Sequence, residues 1–185
     1  MAVQPEAVQE LLSEVRRLRG RFATTAPRAW DAATAGAELA VQLGHLALCL
    51  LRQRGTDVSD LEDPDRPISD IGDELADVVL AGLSASVLAG SEPAPEQRAE
   101  TSQGDQIEAF LRLLVTAGWV AEAGLVSQGY RHRPTGSPPS VAEAGSAMLT
   151  ACEAFARRLG LDLRAEFRAM AADADEFLDS RSDAP

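Results

Sequence analysis

The chain has 185 residues and a formal net charge of -12 at pH 7. That length suits a single domain with a real core, and the negative charge disfavours nucleic acid and anionic membrane, both of which would be repelled. All 17 basic residues are arginine, so lysine is excluded from every catalytic role.

Strand signals are scarce: aromatics make up 4% of the chain, and few β-branched residues cluster. The chain therefore reads as all-α, a single domain over residues 1–185. From Pro5, the apolar positions Val8, Leu11, Leu12, Val15 and Leu18 recur at helical spacing, and Gly20 is expected to end that first helix. A second helix is predicted from about Trp30 to Arg54, stopped by Gly55. Its stripe of Leu39, Leu43, Leu46 and Leu50, widened by Ala40, Ala47 and Leu51, implies a central position. After the polar loop "GTDVSDLEDPDRPISD" a third helix starts near Ser69 or Asp70 and runs to about Ala89. The stretch "GSEPAPEQRAETSQG" reads as a linker, and a fourth helix covers Asp105 to Gln128, with Gly129 as its stop. Ser140 to Glu143 spells a capping box opening a fifth helix that ends at Gly160. Asp162 caps a sixth, with Leu163, Phe167, Met170 and Phe177 expected to face inward.

Cys49 and Cys152 lack C-x-x-C spacing and read as small buried hydrophobes, which fits a reducing cytoplasm. The sequence shows no export signal, and no apolar run is expected to approach the length of a membrane span.

Sliding the chain on itself aligns "QLGHLALCLLRQRG" (42–55) with "TAGWVAEAGLVSQG" (116–129), and "DELADVVLAGL" with "AEAGSAMLTAC". The second alignment places Glu74 on Glu143 and Asp77 on Ser146. Two hairpins would then pair as a pseudo-symmetric four-helix core, with the first and last helices outside it. The halves span residues 23–92 and 103–181. The plainer alternative is that any two Ala/Leu-rich hairpins align this well.

The chemistry lies on two polar stripes. Glu38, Gln42, His45, Cys49 and Arg52 share one face of the second helix; Asp70, Glu74 and Asp77, extended by Ser84, share one face of the third. Facing each other in a bundle, such stripes gather carboxylates that repel unless a hard divalent cation such as Mg²⁺ neutralises them. That cation could clamp a polyphosphate. Each residue also has a simpler role. Asp70 and Asp73 suit the first turn of any helix, Glu143 suits its capping box, and a lone His45 suits a structural hydrogen bond. Glu74 and Asp77 are harder to explain away, because Leu75, Ala76, Val78, Val79 and Leu80 leave little wet surface around them. The turn Arg131, His132, Arg133 is either a solvated loop or a reach toward phosphate.

"DELADVV" closely resembles the second acidic motif, typically "EELADVL", of the MazG-like all-α nucleoside triphosphate pyrophosphohydrolases, relatives of the dimeric dUTPases. "VQLGHLALCL" is similar to that family's first motif in its Gly, Leu and Ala framework but not in its acids. The likeness covers about Trp30 to Ala89, and "LGLDLRAEF" (159–167) resembles the closing helix of such domains. The resemblance implies Mg²⁺ or Mn²⁺ held by Glu74 and Asp77. It also implies hydrolysis of a nucleoside triphosphate or related nucleotide to a monophosphate and pyrophosphate. It puts Val41, Gln42 and His45 where three glutamates would stand, with Glu38 one turn earlier as a substitute carboxylate. Glu74, Asp77 and Glu38 are then the catalytic candidates, with Gln42 and His45 completing the metal shell. Arg52, Asp70, Arg131 and Arg133 are the candidates for holding substrate. The second half, with Thr116, Trp119 and Ser146 at the matching places and only Glu143 acidic, resembles an inactive repeat. A homodimer is implied, as are no nucleic-acid and no membrane partner. The lost glutamates keep a second reading open: an inactive MazG-like scaffold or nucleotide-sensing oligomerisation module.

Overall fold

The computed structural model describes residues 5–93 and 104–182. Among these residues there are six helices and no strand: α1 (Pro5–Thr25), α2 (Ala32–Gln53), α3 (Ile71–Leu88), α4 (Gln106–Ser127), α5 (Val141–Leu159) and α6 (Leu163–Ser182). The expected linker between α3 and α4 lies mostly outside the described residues.

Side chains set the helix starts by satisfying the orphan N–H groups of each first turn. Asp31 accepts from Thr34 N, Asp70 from Gly72 N and Asp73 N, Asp105 from Glu108 N, and Asp162 from Arg164 N and Ala165 N. Ser140 and Glu143 form a reciprocal capping box on α5, and Gly160 ends that helix in the left-handed region at φ 74°. One expectation fails at Gly20, where α1 continues to Thr25. A Cβ there would meet nothing within 4 Å, so Gly20 faces open space, and a single glycine costs an exposed helix only about 1 kcal/mol.

α2 packs along α3 and α4 along α5; α2 also crosses to α4, and α3 to α5. The α2–α4 contact is close and antiparallel. A Cβ on Gly36 would come 3.1 Å from Ala121 Cα, and one on Gly124 would come 2.7 Å from the Ala32 carbonyl oxygen. The two helices match closely: Ala32 to Gln106 and Gln53 to Ser127 are the same 74-residue step. Each has an Asp cap, and each is followed by a positive-φ glycine, Gly55 and Gly129. Counted from their caps, however, Glu143 stands at the third position of α5, as Asp73 does on α3, so it falls one place short of Glu74.

α3, rather than α2, holds the centre. It touches every other helix and is buried from Leu75 to Ser86 except at Asp77, as befits a helix apolar on nearly all sides. α1 and α6 lie against it and against each other. They are joined by Leu12, Val15, Leu18, Phe167 and Met170 in the core and by ion pairs from Arg17 and Arg21 to Asp175, and from Arg21 to Asp179. Phe177 does not face inward as expected and is 50% exposed. α2 and α4 are each long and apolar enough to cross a membrane, contrary to expectation, with 39% and 33% of the relevant stretch buried in this fold.

Candidate functional site

Burying the α2 stripe Leu39, Leu43, Leu46 and Leu50 with Leu75, Val79 and Leu83 of α3 in one core brings the adjoining polar stripes together. Beside them lies a cavity of about 750 Å³. α2 and α3 give it an acidic side with Glu38, Gln42, Asp73, Asp77 and Ser84. Arg19, Phe22 and Trp30 come from α1 and the connection after it, and Met170, Asp173 and Phe177 from α6. Arg28 and Arg66 also line it.

A chain of contacts leads inward from Glu38. Gln42 Nε2 donates to Glu38 Oε1 at 2.8 Å, and Gln42 Oε1 lies 3.1 Å from His45 Nδ1. The amide oxygen can only accept, so His45 Nδ1 carries a proton and donates it, leaving the lone pair on Nε2. His45 Nδ1 is also 3.2 Å from Glu74 Oε2. That approach lacks hydrogen-bond geometry, and Glu74 Oε2 remains buried without a hydrogen-bond partner.

The electrostatics follow from crowding in a poorly solvated place. Burial pushes the Glu74 carboxyl up to about 7, with Asp73 and then Asp70 adding to the rise and Arg66 opposing it. Burial also pushes Asp77 up to about 7, helped by Asp73, Glu74 and Glu38, again against Arg66. Asp73 is raised by burial, Asp70 and Asp173. Burial, together with Arg66, lowers His45 despite Glu38, so the ring is mostly neutral at pH 7. A bound divalent cation would favour the ionised form of these acids at neutral pH.

Other predicted residues do different work. Arg52 donates to the Ile68 carbonyl and pairs with Glu62, tying down the α2–α3 loop. Cys49 Sγ lies 3.7 Å from the same carbonyl, and burial pushes its thiol up to about 11. Asp70 caps α3, with Oδ1 2.9 Å from Gly72 N. Arg131 pairs with Glu122 at 2.9 Å. Arg133 lines a separate cavity of about 290 Å³ with Trp119, Pro139 and Glu143. None of Arg52, Asp70, Arg131 and Arg133 lines the larger cavity, whereas Glu38, Gln42 and Asp77 do, and His45 and Glu74 adjoin it through Gln42. Glu143 is committed to its capping box: Oε2 accepts from Ser140 N at 2.8 Å, and that bond holds its carboxyl below the usual range.

The cavity arginines Arg19, Arg28 and Arg66, and the rings of Phe22 and Trp30, had no local signature. Arg66 sits in "DPDRP" on the α2–α3 loop, and only the return of that loop brings it to the acids.

Four carboxylates are donors suited to a hard divalent ion, whereas the imidazole beside them suits a softer one; the unpartnered Glu74 oxygen is an atom such an ion would satisfy. Among the described residues, no three His, Cys, Asp or Glu side chains already stand close enough to hold a metal. Side-chain rotation would have to complete the shell. In comparisons with known proteins, the chain matches no family model, no curated protein and no solved structure.

Proposed function

We propose that the chain is a MazG-like four-helix-bundle protein that binds a nucleoside triphosphate or related nucleotide. In this reading it hydrolyses the nucleotide to a monophosphate and pyrophosphate with Mg²⁺ or Mn²⁺. The observation that carries the reading is the meeting of Glu38, Asp73 and Asp77 on one cavity, with Glu74 Oε2 buried beside His45 and without a hydrogen-bond partner. Glu74, Asp77 and Glu38 would hold the cation, completed by Gln42 and His45. When bound, the cation supplies charge neutralisation for phosphate oxygens and Lewis-acid activation of water. The Gln42 amide, bonded on both sides, orients Glu38 and fixes which nitrogen of His45 carries the proton. Arg28 and Arg66 offer planar donors to phosphate oxygens. α1 and α6 supply further walls of the cavity that the acids line.

A cytoplasmic location and a homodimer belong to the same proposal. Support for self-association comes from the exposed apolar residues Leu111, Leu114, Val115 and Trp119 on α4 and Val41 on α2.

The test is calorimetric titration with Mg²⁺ and Mn²⁺, followed by a pyrophosphate-release assay over a panel of nucleoside triphosphates. The expected result is millimolar or tighter metal binding, abolished in Glu74→Ala, and release from at least one triphosphate. Absence of both metal binding and release overturns the enzyme reading. A second reading, an inactive nucleotide-sensing or scaffold module, is favoured by Gln42 and His45 standing where carboxylates are needed. It predicts nucleotide binding without release.

A further inference from the structure

The α1 side of the large cavity has chemistry of its own. The segment "RRLRGR" carries four arginines, and three are paired: Arg16 with Glu92, Arg17 with Glu14 and Asp175, and Arg21 with Asp175 and Asp179. Arg19 differs. Its guanidinium carbon lies 4.8 Å from the Phe22 ring centroid and 4.5 Å from that of Trp30. Its Nε is buried without a hydrogen-bond partner, and Arg19, Phe22 and Trp30 all line the cavity. Aromatic faces attract the cation but accept none of its in-plane hydrogen bonds, so the ring contacts fix the guanidinium and leave donors unused. Nε is sealed in, so the terminal nitrogens of Arg19 are the donors left to meet a ligand in the cavity.

We infer that this wall receives the base of the bound nucleotide, and that Arg19 selects guanine over adenine. The inference rests on the nucleotide reading of the cavity but not on hydrolysis or on a metal. A cavity of about 750 Å³ is the right size for such a ligand. Phe22 and Trp30, each already carrying Arg19 over one face, add apolar surface beside a flat ring. Nη1–H and Nη2–H, the end of the planar guanidinium, form a rigid fork, which matches the adjacent O6 and N7 acceptors of guanine; adenine presents an amino donor in place of O6. The same fork also fits two phosphate oxygens, but the surroundings disfavour that occupant. Glu38 is close enough to oppose the lowering of Arg19's pKa by burial, so its charge offsets the pull on an anion. Ala23, Ala26, Pro27 and Ala29 add apolar lining that suits a base better than a hydrated phosphate.

Trp30 provides the readout. The chain has two tryptophans, so Trp119→Phe leaves Trp30 alone to report. In EDTA, this protein is titrated with guanosine monophosphate, adenosine monophosphate and inorganic phosphate, and Trp30 fluorescence is followed. Guanosine monophosphate should bind about tenfold or more tightly than adenosine monophosphate, and Arg19→Lys, which keeps the charge but loses the fork, should erase the preference. Equal binding of the two monophosphates overturns the inference, and this comparison needs no variant at Arg19. Preference surviving in Arg19→Lys also overturns it, as does loss of inorganic phosphate binding in Arg19→Lys, which would make Arg19 a phosphate contact. If the guanine preference holds while no triphosphate releases pyrophosphate, only the hydrolase reading falls. If triphosphates are cleaved without regard to base, only this inference falls.

Discussion

Replacing Glu74 with glutamine removes a charge while nearly keeping the shape of the side chain. The Glu74 carboxyl is raised from 4.5 to about 7, first by burial and next by Asp73, and the side chain is only 12% exposed. A raised acid favours its protonated form in the fold. The stability tied to that form is therefore fully present below pH 4.5 and is lost as the pH climbs through about 7. Each tenfold step in acidity is worth about 1.4 kcal/mol. Ionised Glu74 thus costs the metal-free protein up to about 3 kcal/mol at pH 8, reduced to roughly 1–2 kcal/mol by side-chain relaxation and solvent. In EDTA at pH 8, Glu74→Gln should stabilise the chain by that amount and raise Tm by about 2–8 °C. At pH 5 the gain should fall below about 1 kcal/mol, because the folded parent is then protonated. Thermal unfolding followed by circular dichroism at the two pH values measures the difference. Saturating Mg²⁺ should stabilise the parent and leave the variant little changed, reversing their order at pH 8. A gain of equal size at both pH values, or a variant less stable than the parent at pH 8, would refute the electrostatic account of Glu74.

Other expectations follow from packing and caps. Gly124→Ala places a Cβ 2.7 Å from the Ala32 carbonyl oxygen, a backbone atom that cannot turn aside. It should cost about 1–3 kcal/mol in denaturant unfolding. Gly44→Ala and Gly118→Ala meet nothing within 4 Å and sit inside helices, so each should stabilise by about 0.5–1 kcal/mol in the same assay. Ser140→Ala breaks the α5 capping box and should cost about 1 kcal/mol by thermal melting. Arg52→Ala frees the α2–α3 loop from its anchor at Ile68 and Glu62, and hydrogen exchange over residues 57–67 should quicken while the core of α3 stays protected.

What could be read from the sequence was local. Capping residues and stop glycines act within a turn or two of themselves, so Asp70, Asp105, Ser140 and Gly160 marked the helix ends closely. Helical spacing likewise placed Glu38, Gln42 and His45 on one face and Glu74 with Asp77 on another, and the fold sets those faces together. What escaped depends on how helices are laid against one another. Four arginines sit in "RRLRGR", but nothing local tells which one turns toward the cavity and which ones meet α6. Arg131 and Arg133 looked equally eligible for phosphate, yet the α4–α5 turn folds them onto Glu122 and the smaller cavity. The centre of the bundle had a legible sign after all. α3 is apolar on nearly every side between Leu75 and Leu83, whereas the α2 stripe leaves Val41 and Gly44 facing outward.

Because α3 is in contact with all five of its neighbours, a shift in its backbone would have to be absorbed on every side at once. Residues 19–30 form one helix end and a short connector, away from that central axis. Substitutions there can alter which ligand is admitted while the carboxylates stay where they are. Engineered changes of selectivity are therefore best sought in that outer wall, with the axial helix left untouched.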